Sequence, residues 1–138
     1  MPSAARAVCD SGPLIALFDR SDESHESCGA ALARFSGSFV TSWPVLTEAF
    51  HFIDRRTDHW LLWDFVLSDV VRIEALVESD VARMRVLMEQ YSDLPMDFAD
   101  ASLVALSERL RVSSVFTLDR RGFSVFRTRY SKAFEIFP

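Results

Sequence analysis

The fold of this chain follows from one stretch near its beginning, Ala7-Val8-Cys9-Asp10-Ser11-Gly12-Pro13. The apolar residues at its start are typical of a buried strand, and the Ser-Gly-Pro at its end indicates a turn into a helix. The carboxylate of Asp10 is therefore predicted to lie at the carboxyl end of a strand. In an open parallel sheet, ligand crevices form at that edge.

A second strand near the other end of the chain has the same arrangement. The run 114–118, with the sequence SVFTL, is rich in β-forming residues and delivers Asp119 into a turn that contains Gly122. If both strands are parallel members of one sheet, Asp10 and Asp119 lie at the same edge.

Between these two strands, helical and strand patterns alternate without a linker, a low-complexity segment or an internal repeat. Such a βαβα series predicts an α/β fold, and the length of 138 residues predicts a single domain over residues 1–138. The patterns predict helices over 13–18, 22–35, 43–53, 58–67, 79–91 and 98–110, and further strands over 38–42, 70–76 and 133–137.

The composition narrows the classes of protein to which the chain can belong. It is 49% hydrophobic, which is enough to bury a core, and its net charge of −5 argues against an unspecific coat for nucleic acid. No apolar run approaches the roughly 20 residues that cross a bilayer, and residues 1–6 are too few and too polar for a signal peptide. Two cysteines make no disulfide framework. We therefore expect a cytoplasmic protein with no membrane partner.

Arginine supplies all but one of the 15 basic residues, and the C-terminal third is rich in it. Guanidinium groups bind phosphate oxygens in pairs, so Arg120 and Arg121, which follow Asp119, are candidate substrate-binding residues. The alternative is a solvated surface on which arginines pair with acids for little energy.

Three further acids are candidates for the same edge of the sheet. Glu48 is flanked by apolar residues in the predicted helix 43–53, where a carboxylate must be paired, protonated or bound to a cation unless it lies on an exposed rim. Asp97 and Asp100 begin the predicted helix 98–110, and their spacing places both on one face of its first turn. The alternative role of Asp97 is that of a helix N-cap, whereas Asp100 lies inside the helix.

Asp10, Glu48, Asp97, Asp100 and Asp119 together form a candidate set of metal ligands. Clustered carboxylates repel one another unless a cation is present. Mg²⁺ and Mn²⁺ prefer such oxygen ligands and keep several waters. A site of this kind can deprotonate a water molecule and stabilise the leaving oxygen in phosphodiester cleavage.

Four segments resemble the successive acidic motifs of a PIN domain, with the greatest likeness to the VapC-type toxins of bacterial toxin–antitoxin pairs. No single motif is specific, but four in the right order over nearly the whole chain are. The segments are residues 9–17 (CDSGPLIAL), 41–49 (TSWPVLTEA), 97–106 (DFADASLVAL) and 117–123 (TLDRRGF).

The resemblance implies a three-layer α/β/α sandwich with a mainly parallel central sheet and a Mg²⁺- or Mn²⁺-dependent endoribonuclease site. By motif, the acidic quartet of the family corresponds to Asp10, Glu48, Asp100 and Asp119, and Asp97 corresponds to an extra acid of some members. One departure concerns Gly122, which stands where relatives often carry a further aspartate. The lack of this further aspartate predicts that the chain binds one metal ion well and a second ion only together with substrate.

The resemblance also implies partners, namely an RNA substrate, a cognate antitoxin and a second copy of the chain. The aromatic and apolar residues Trp60, Leu61 and Trp63 exceed what the interior of one small domain needs, which predicts a homodimer face or an antitoxin groove. Thr117 is a candidate to position water or phosphate through its hydroxyl, although threonine is also an ordinary strand residue.

Two other classes of protein place acids at strand ends. A haloacid dehalogenase needs a second aspartate two residues after the first, where this chain has Gly12, and a receiver domain needs a lysine on a late strand, for which Lys132 comes too late. The stronger alternative is a catalytically inactive PIN-like module that binds RNA or protein. Retention of all four acids argues against it, because clustered carboxylates repel one another without a metal.

Overall fold

The computed structural model describes residues 5–53 and 59–138. These residues form five strands and seven helices in alternation. In chain order they are β1 (Arg6–Cys9), α1 (Ser11–Phe18), α2 (His25–Arg34), β2 (Ser38–Thr41), α3 (Trp43–Phe52), α4 (His59–Val66), β3 (Val71–Ile73), α5 (Glu78–Gln90), α6 (Phe98–Leu110), β4 (Ser114–Phe116), α7 (Arg120–Phe123) and β5 (Glu135–Phe137).

The strands form one parallel sheet in the order β3-β2-β1-β4-β5. The chain builds outward from β1 on one side and then crosses over to add β4 on the other, so the switch point of the topology lies between β1 and β4. Cys9 is in register with Phe116, and the amide of Asp10 donates to the Phe116 carbonyl at 2.9 Å. This architecture confirms the predicted three-layer α/β/α fold. Strands from both ends of the chain share the sheet, which supports our proposal of one domain over residues 1–138.

Helix α6 is the central helix of the fold, because residues 99–108 are all buried. It packs on α5 and also contacts α3 and β1. The hydroxyls of Ser42 and Ser102 lie 2.6 Å apart in the interior and join the start of α3 to α6. The two helices that carry the predicted site residues Glu48 and Asp100 are therefore held against each other.

Two buried carboxylates link α5 and α6. Glu108 accepts hydrogen bonds from the guanidinium groups of Arg83, at 2.9–3.1 Å, and Arg129, at 3.3 Å. Asp80 accepts from Arg109 at 3.0 and 3.1 Å. Glu108 and Asp80 are therefore each paired with arginine, as burial of a charge requires.

Several predicted elements have the right type but the wrong ends. Predicted helix 22–35 begins only at His25, because the side chain of Asp22 accepts from the amide of Ser24 and forms a turn instead. Predicted strand 70–76 is shortened to 71–73, because the carbonyl of Ala75 turns to accept from Arg109.

Other boundaries differ by smaller amounts. The first helix begins at Ser11, and the predicted strands 114–118 and 133–137 are shortened to 114–116 and 135–137. The predicted start of helix 58–67 at Asp58 lies outside the described residues. In the described parts of the chain, no helix is both long and apolar enough to cross a membrane.

Candidate metal centre

Asp10 lies at the carboxyl end of β1, as predicted, and is buried. One carboxylate oxygen accepts from the amide of Ser11 at 2.8 Å and so caps α1. The other accepts from the hydroxyl of Thr117 at 2.7 Å, across the switch point. Both oxygens are therefore oriented by short hydrogen bonds from β1–α1 and from the residue after β4.

Glu48 is brought to the same place by α3. Ser42 caps this helix by accepting from the amide of Val45 at 3.4 Å, and Pro44 occupies its first turn, where a missing amide donor costs nothing. The Glu48 carboxylate accepts from the hydroxyl of Ser11 at 2.6 Å. The side chain is half-buried, so it lies neither deep in the apolar interior nor on a fully exposed rim.

Asp97 and Asp100 form a capping box at the start of α6. Asp97 accepts from the amide of Asp100 at 2.8 Å, and Asp100 accepts from the amide of Asp97 at 3.1 Å. Asp97 therefore has the N-cap role that was its alternative assignment, and it is exposed, whereas Asp100 is buried. The first turn of a helix favours negative charge, so these acids lie where the helix dipole stabilises them.

The carboxyl groups of these elements are close enough to perturb one another. Burial raises the pKa of Asp10 to about 6, the hydrogen bonds from Thr117 and Ser11 oppose this rise, and the charges of Glu48 and Asp97 add to it. Burial, assisted by the charges of Asp10 and Asp97, raises the pKa of Asp100 to about 8.

Asp119 follows β4 but points its carboxylate elsewhere. One oxygen accepts from the amide of Gly122 at 3.0 Å and caps the short helix α7, and the side chain is exposed. Its backbone amide donates to the Thr117 hydroxyl at 3.0 Å, so Thr117 connects Asp119 to Asp10. The structure thus groups Asp10, Glu48, Asp97 and Asp100, with Asp119 bordering the group.

Gly122 permits this orientation of Asp119. A β-carbon at Gly122 would lie 2.4 Å from an Asp119 carboxylate oxygen and 3.0 Å from the ring of Phe126. The aspartate that the resemblance to PIN domains implies for this position would require Asp119 to change its rotamer.

The donor set has the chemistry of a magnesium or manganese site. It contains hard oxygen donors from carboxylates and hydroxyls, which are the ligands that these ions prefer. Within residues 5–53 and 59–138, no three histidine, cysteine, aspartate or glutamate side chains converge into a ready-made ligand cluster. Mg²⁺ needs only one or two carboxylates, because water and substrate phosphate complete its shell. The residues present therefore fit such an ion.

The predicted substrate-binding residues differ in their surroundings. Thr117 is buried and bonded to the acids, as described above. Arg120 is exposed, and its guanidinium group donates to the carbonyl of Pro138. Arg121 is also exposed beside Asp119. Both arginines begin α7 at the edge of the sheet that carries the acids.

The sequence interpretation missed the role of Ser11 and Ser42. The sequence pattern indicates only a turn at Ser11, yet Ser11 bonds both Asp10, through its amide, and Glu48, through its hydroxyl. Its position directly after the first acid was the only signal. Ser42 stands immediately before the helix that carries Glu48, a typical N-cap position.

No family model matches the chain. The chain is similar to Ribonuclease VapC26 of Mycobacterium tuberculosis, with 26% identity over 142 aligned positions that cover 95% of this chain and 99% of that protein. It also resembles the crystal structure of M. tuberculosis VapC20, described as a Sarcin-Ricin loop cleaving toxin, with a TM-score of 0.74 and 21% identity over 84% of this chain and 93% of that one. The second likeness shows the shared fold, and the first covers all four acidic motifs. Both similarities support the resemblance to VapC-type PIN-domain proteins that those motifs indicated.

Proposed function

We propose that this chain is a divalent-metal-dependent endoribonuclease and the toxin of a VapBC-type toxin–antitoxin pair. The observation that carries the proposal is the meeting of acids from β1, α3 and α6 at the switch point of a parallel sheet. Ligand crevices form at such edges. The similar proteins VapC26 and VapC20 are named as a ribonuclease and as a Sarcin-Ricin loop cleaving toxin, and their names support the same reaction class.

The proposed ligands are Asp10, Glu48, Asp97, Asp100 and Asp119, with Mg²⁺ or Mn²⁺ as the ion. When bound, the ion supplies positive charge that neutralises phosphate oxygens and lowers the pKa of water. Asp10 is the central ligand, because it is buried and both of its oxygens are oriented. Catalysis is assigned to Asp10, Glu48, Asp100 and Asp119, with Asp97 as an additional ligand.

The remaining polar groups position these acids and the substrate. Ser11 holds one Glu48 oxygen, which leaves the other oxygen for an ion or for water. Thr117 holds Asp10 and the backbone after β4 in one arrangement. Arg120 and Arg121 supply exposed positive charge near Asp119 for the flanking phosphates.

The raised pKa values favour a metal site over an inactive binding module. The charged forms of Asp10 and Asp100 are disfavoured by burial and by neighbouring acids, so without a cation these groups cost stability. A module that needed only its surface would gain stability by losing them. A divalent ion offsets the cost directly.

The proposed macromolecular partners are a cognate antitoxin and a second copy of the chain. Trp60, Leu61 and Trp63 are exposed on α4, which supports the predicted partner face. Co-expression with the neighbouring small gene, followed by a pull-down, tests the antitoxin, and recovery of the toxin alone would count against it. A cytoplasmic location belongs to the same proposal, since cellular RNA is the substrate.

Cleavage of mixed cellular RNA tests the function. The purified protein is incubated with Mg²⁺, Mn²⁺ or EDTA beside the variants Asp10→Asn and Asp93→Asn. Asp93 is an exposed acid outside the group and serves as the matched control. We expect metal-dependent cutting that Asp10→Asn abolishes and Asp93→Asn retains. If none of the three proteins cuts RNA with any metal, the result would favour the catalytically inactive module that only binds RNA or protein.

A further inference from the structure

We propose that the cleft between α3 and the start of α6 binds one unpaired RNA base by stacking on Trp43 and Phe98. The proposal rests on the ribonuclease function proposed above and names a substrate-positioning surface for it. The two aromatic residues hold the base, and the divalent ion proposed for the adjoining acids would neutralise the phosphate next to it.

The cleft adjoins the candidate metal centre and shares two of its residues. Its volume of about 720 Å³ lies in the range of small-molecule sites and can hold a nucleoside. Glu48 and Asp97 line both the cleft and the acidic group, so a molecule in the cleft touches the centre. The lining residues are Trp43, Pro44, Thr47, Glu48, His51, Asp97, Phe98 and Ala99.

Both aromatic side chains are held at the mouth of the cleft by the local structure. Trp43 is the first residue of α3 after its cap Ser42, and Phe98 is the first residue of α6 after its cap Asp97. They are 58% and 53% exposed, so the core does not account for them. In the described part of the chain, neither ring stacks on another aromatic ring. More than half of each side chain is therefore accessible to a ligand.

The charges of the cleft favour a base over a phosphate. Among the residues that the structure describes, its lining includes two acids and no arginine or lysine, and these acids repel a phosphate inside the cleft. A base is neutral and has a π-face that stacks on aromatic side chains whatever its identity. Thr47 and His51 are exposed polar residues in the lining and can bond to base edges. An unpaired base is neutral, has a π-face and has polar edges, so it fits the cleft on all three counts. Its sugar also links it directly to the phosphate that would lie at the metal centre.

The test measures binding without cleavage, so that it does not depend on the nuclease result. The Asp10→Asn protein with Mg²⁺ is titrated into a fluorescent single-stranded oligouridine and into a fully abasic chain of equal length, and anisotropy is recorded. We expect Trp43→Ala and Phe98→Ala, each placed in the Asp10→Asn protein, to weaken oligouridine binding by roughly 5- to 100-fold, the loss of one stacked base. Binding of the abasic chain stays unchanged.

Two further variants keep the test decisive. Trp43→Phe retains an aromatic face and should recover most of the affinity, even where the alanine variant folds poorly. Tyr130→Ala removes a comparably exposed aromatic ring that does not line the cleft and should have no effect.

The proposal is overturned if the Asp10→Asn protein binds neither chain, or if adding Trp43→Ala and Phe98→Ala to it leaves oligouridine binding intact. Equal weakening of oligouridine and abasic binding would also overturn it. If those variants leave oligouridine binding intact and change only the oligomeric state measured by analytical ultracentrifugation, the cleft binds protein and the proposal is wrong. If Trp43-dependent binding is found in a protein that cleaves no RNA with any metal, the base site stands and the nuclease function falls.

Discussion

The hydrogen bond from Thr117 to Asp10 offers a quantitative test of the site. The Thr117 hydroxyl is buried, donates to an Asp10 carboxylate oxygen at 2.7 Å and accepts from the Asp119 amide at 3.0 Å. Thr117→Val keeps the shape of the side chain and removes both bonds. The change therefore isolates the hydroxyl without opening a cavity.

The magnitude follows from the charge of the acceptor. A hydrogen bond to a charged group contributes about 1.5–3 kcal/mol, and one pKa unit corresponds to about 1.4 kcal/mol. Loss of the Thr117 bond should therefore raise the pKa of Asp10 by about one to two units, from about 6. Because a metal ligand must be ionised, activity is lost as pH falls through this pKa. The acidic limb of the rate profile should move to higher pH in Thr117→Val.

The assay is the initial rate of RNA cleavage between pH 5 and 9 at one fixed, subsaturating Mg²⁺ concentration. Thr128→Val is the matched control, because the Thr128 hydroxyl is buried and lacks a hydrogen-bond partner among the described residues. We expect its profile to coincide with that of the parent. An acidic limb that stays in place in a folded Thr117→Val protein would show that the Thr117 hydroxyl does not control the ionisation of Asp10.

Three other changes test neighbouring parts of the account. In the metal-free protein, the raised pKa of Asp100 means that the folded state holds a proton that the unfolded state releases, so the free energy of unfolding falls as pH rises from about 4 to about 8. Asp100→Asn should therefore raise Tm at pH 8 more than at pH 4 and abolish cleavage. An equal change in Tm at both pH values would contradict this expectation. Gly122→Ala should displace Asp119 from its cap and cost about 1 kcal/mol in urea unfolding, whereas unchanged stability would show that the contact relaxes freely. Glu108→Ala leaves the partly buried Arg83 without its partner and should cost about 3–5 kcal/mol in the same assay, and a cost below about 1 kcal/mol would contradict the role of this ion pair.

Most of the fold was predictable because the elements carry clear patterns. Hydrophobic periodicity and turn residues identified each main helix and strand, and the acids that follow β1 and β4 indicated the edge of the site. The ends of elements were less accurate, because side chains such as Asp22 and Arg109 compete for backbone groups. Such competition depends on tertiary contacts that a local pattern does not contain.

The details of the site were predictable only in part. The sequence pattern predicted that Asp10 follows the first strand and that Asp100 lies in the first turn of α6, as observed. It did not predict the hydrogen bond between Ser11 and Glu48, which lie 37 residues apart. The rotamer of Asp119 depends on the missing β-carbon of Gly122, an effect of three-dimensional proximity. The exposure of Trp43 likewise emerges only when α3 and α6 are packed.

Direct measurement of Mn²⁺ binding shows whether the grouped carboxylates hold a divalent ion. Electron paramagnetic resonance at pH 8, where Asp10 is ionised, reports free Mn²⁺ in titrations of the parent, Asp10→Asn and Asp93→Asn proteins. We expect the parent and Asp93→Asn to bind Mn²⁺ with equal affinity, Mg²⁺ to displace it, and Asp10→Asn to bind at least about tenfold more weakly. Equal affinity of Asp10→Asn and the parent would contradict the account.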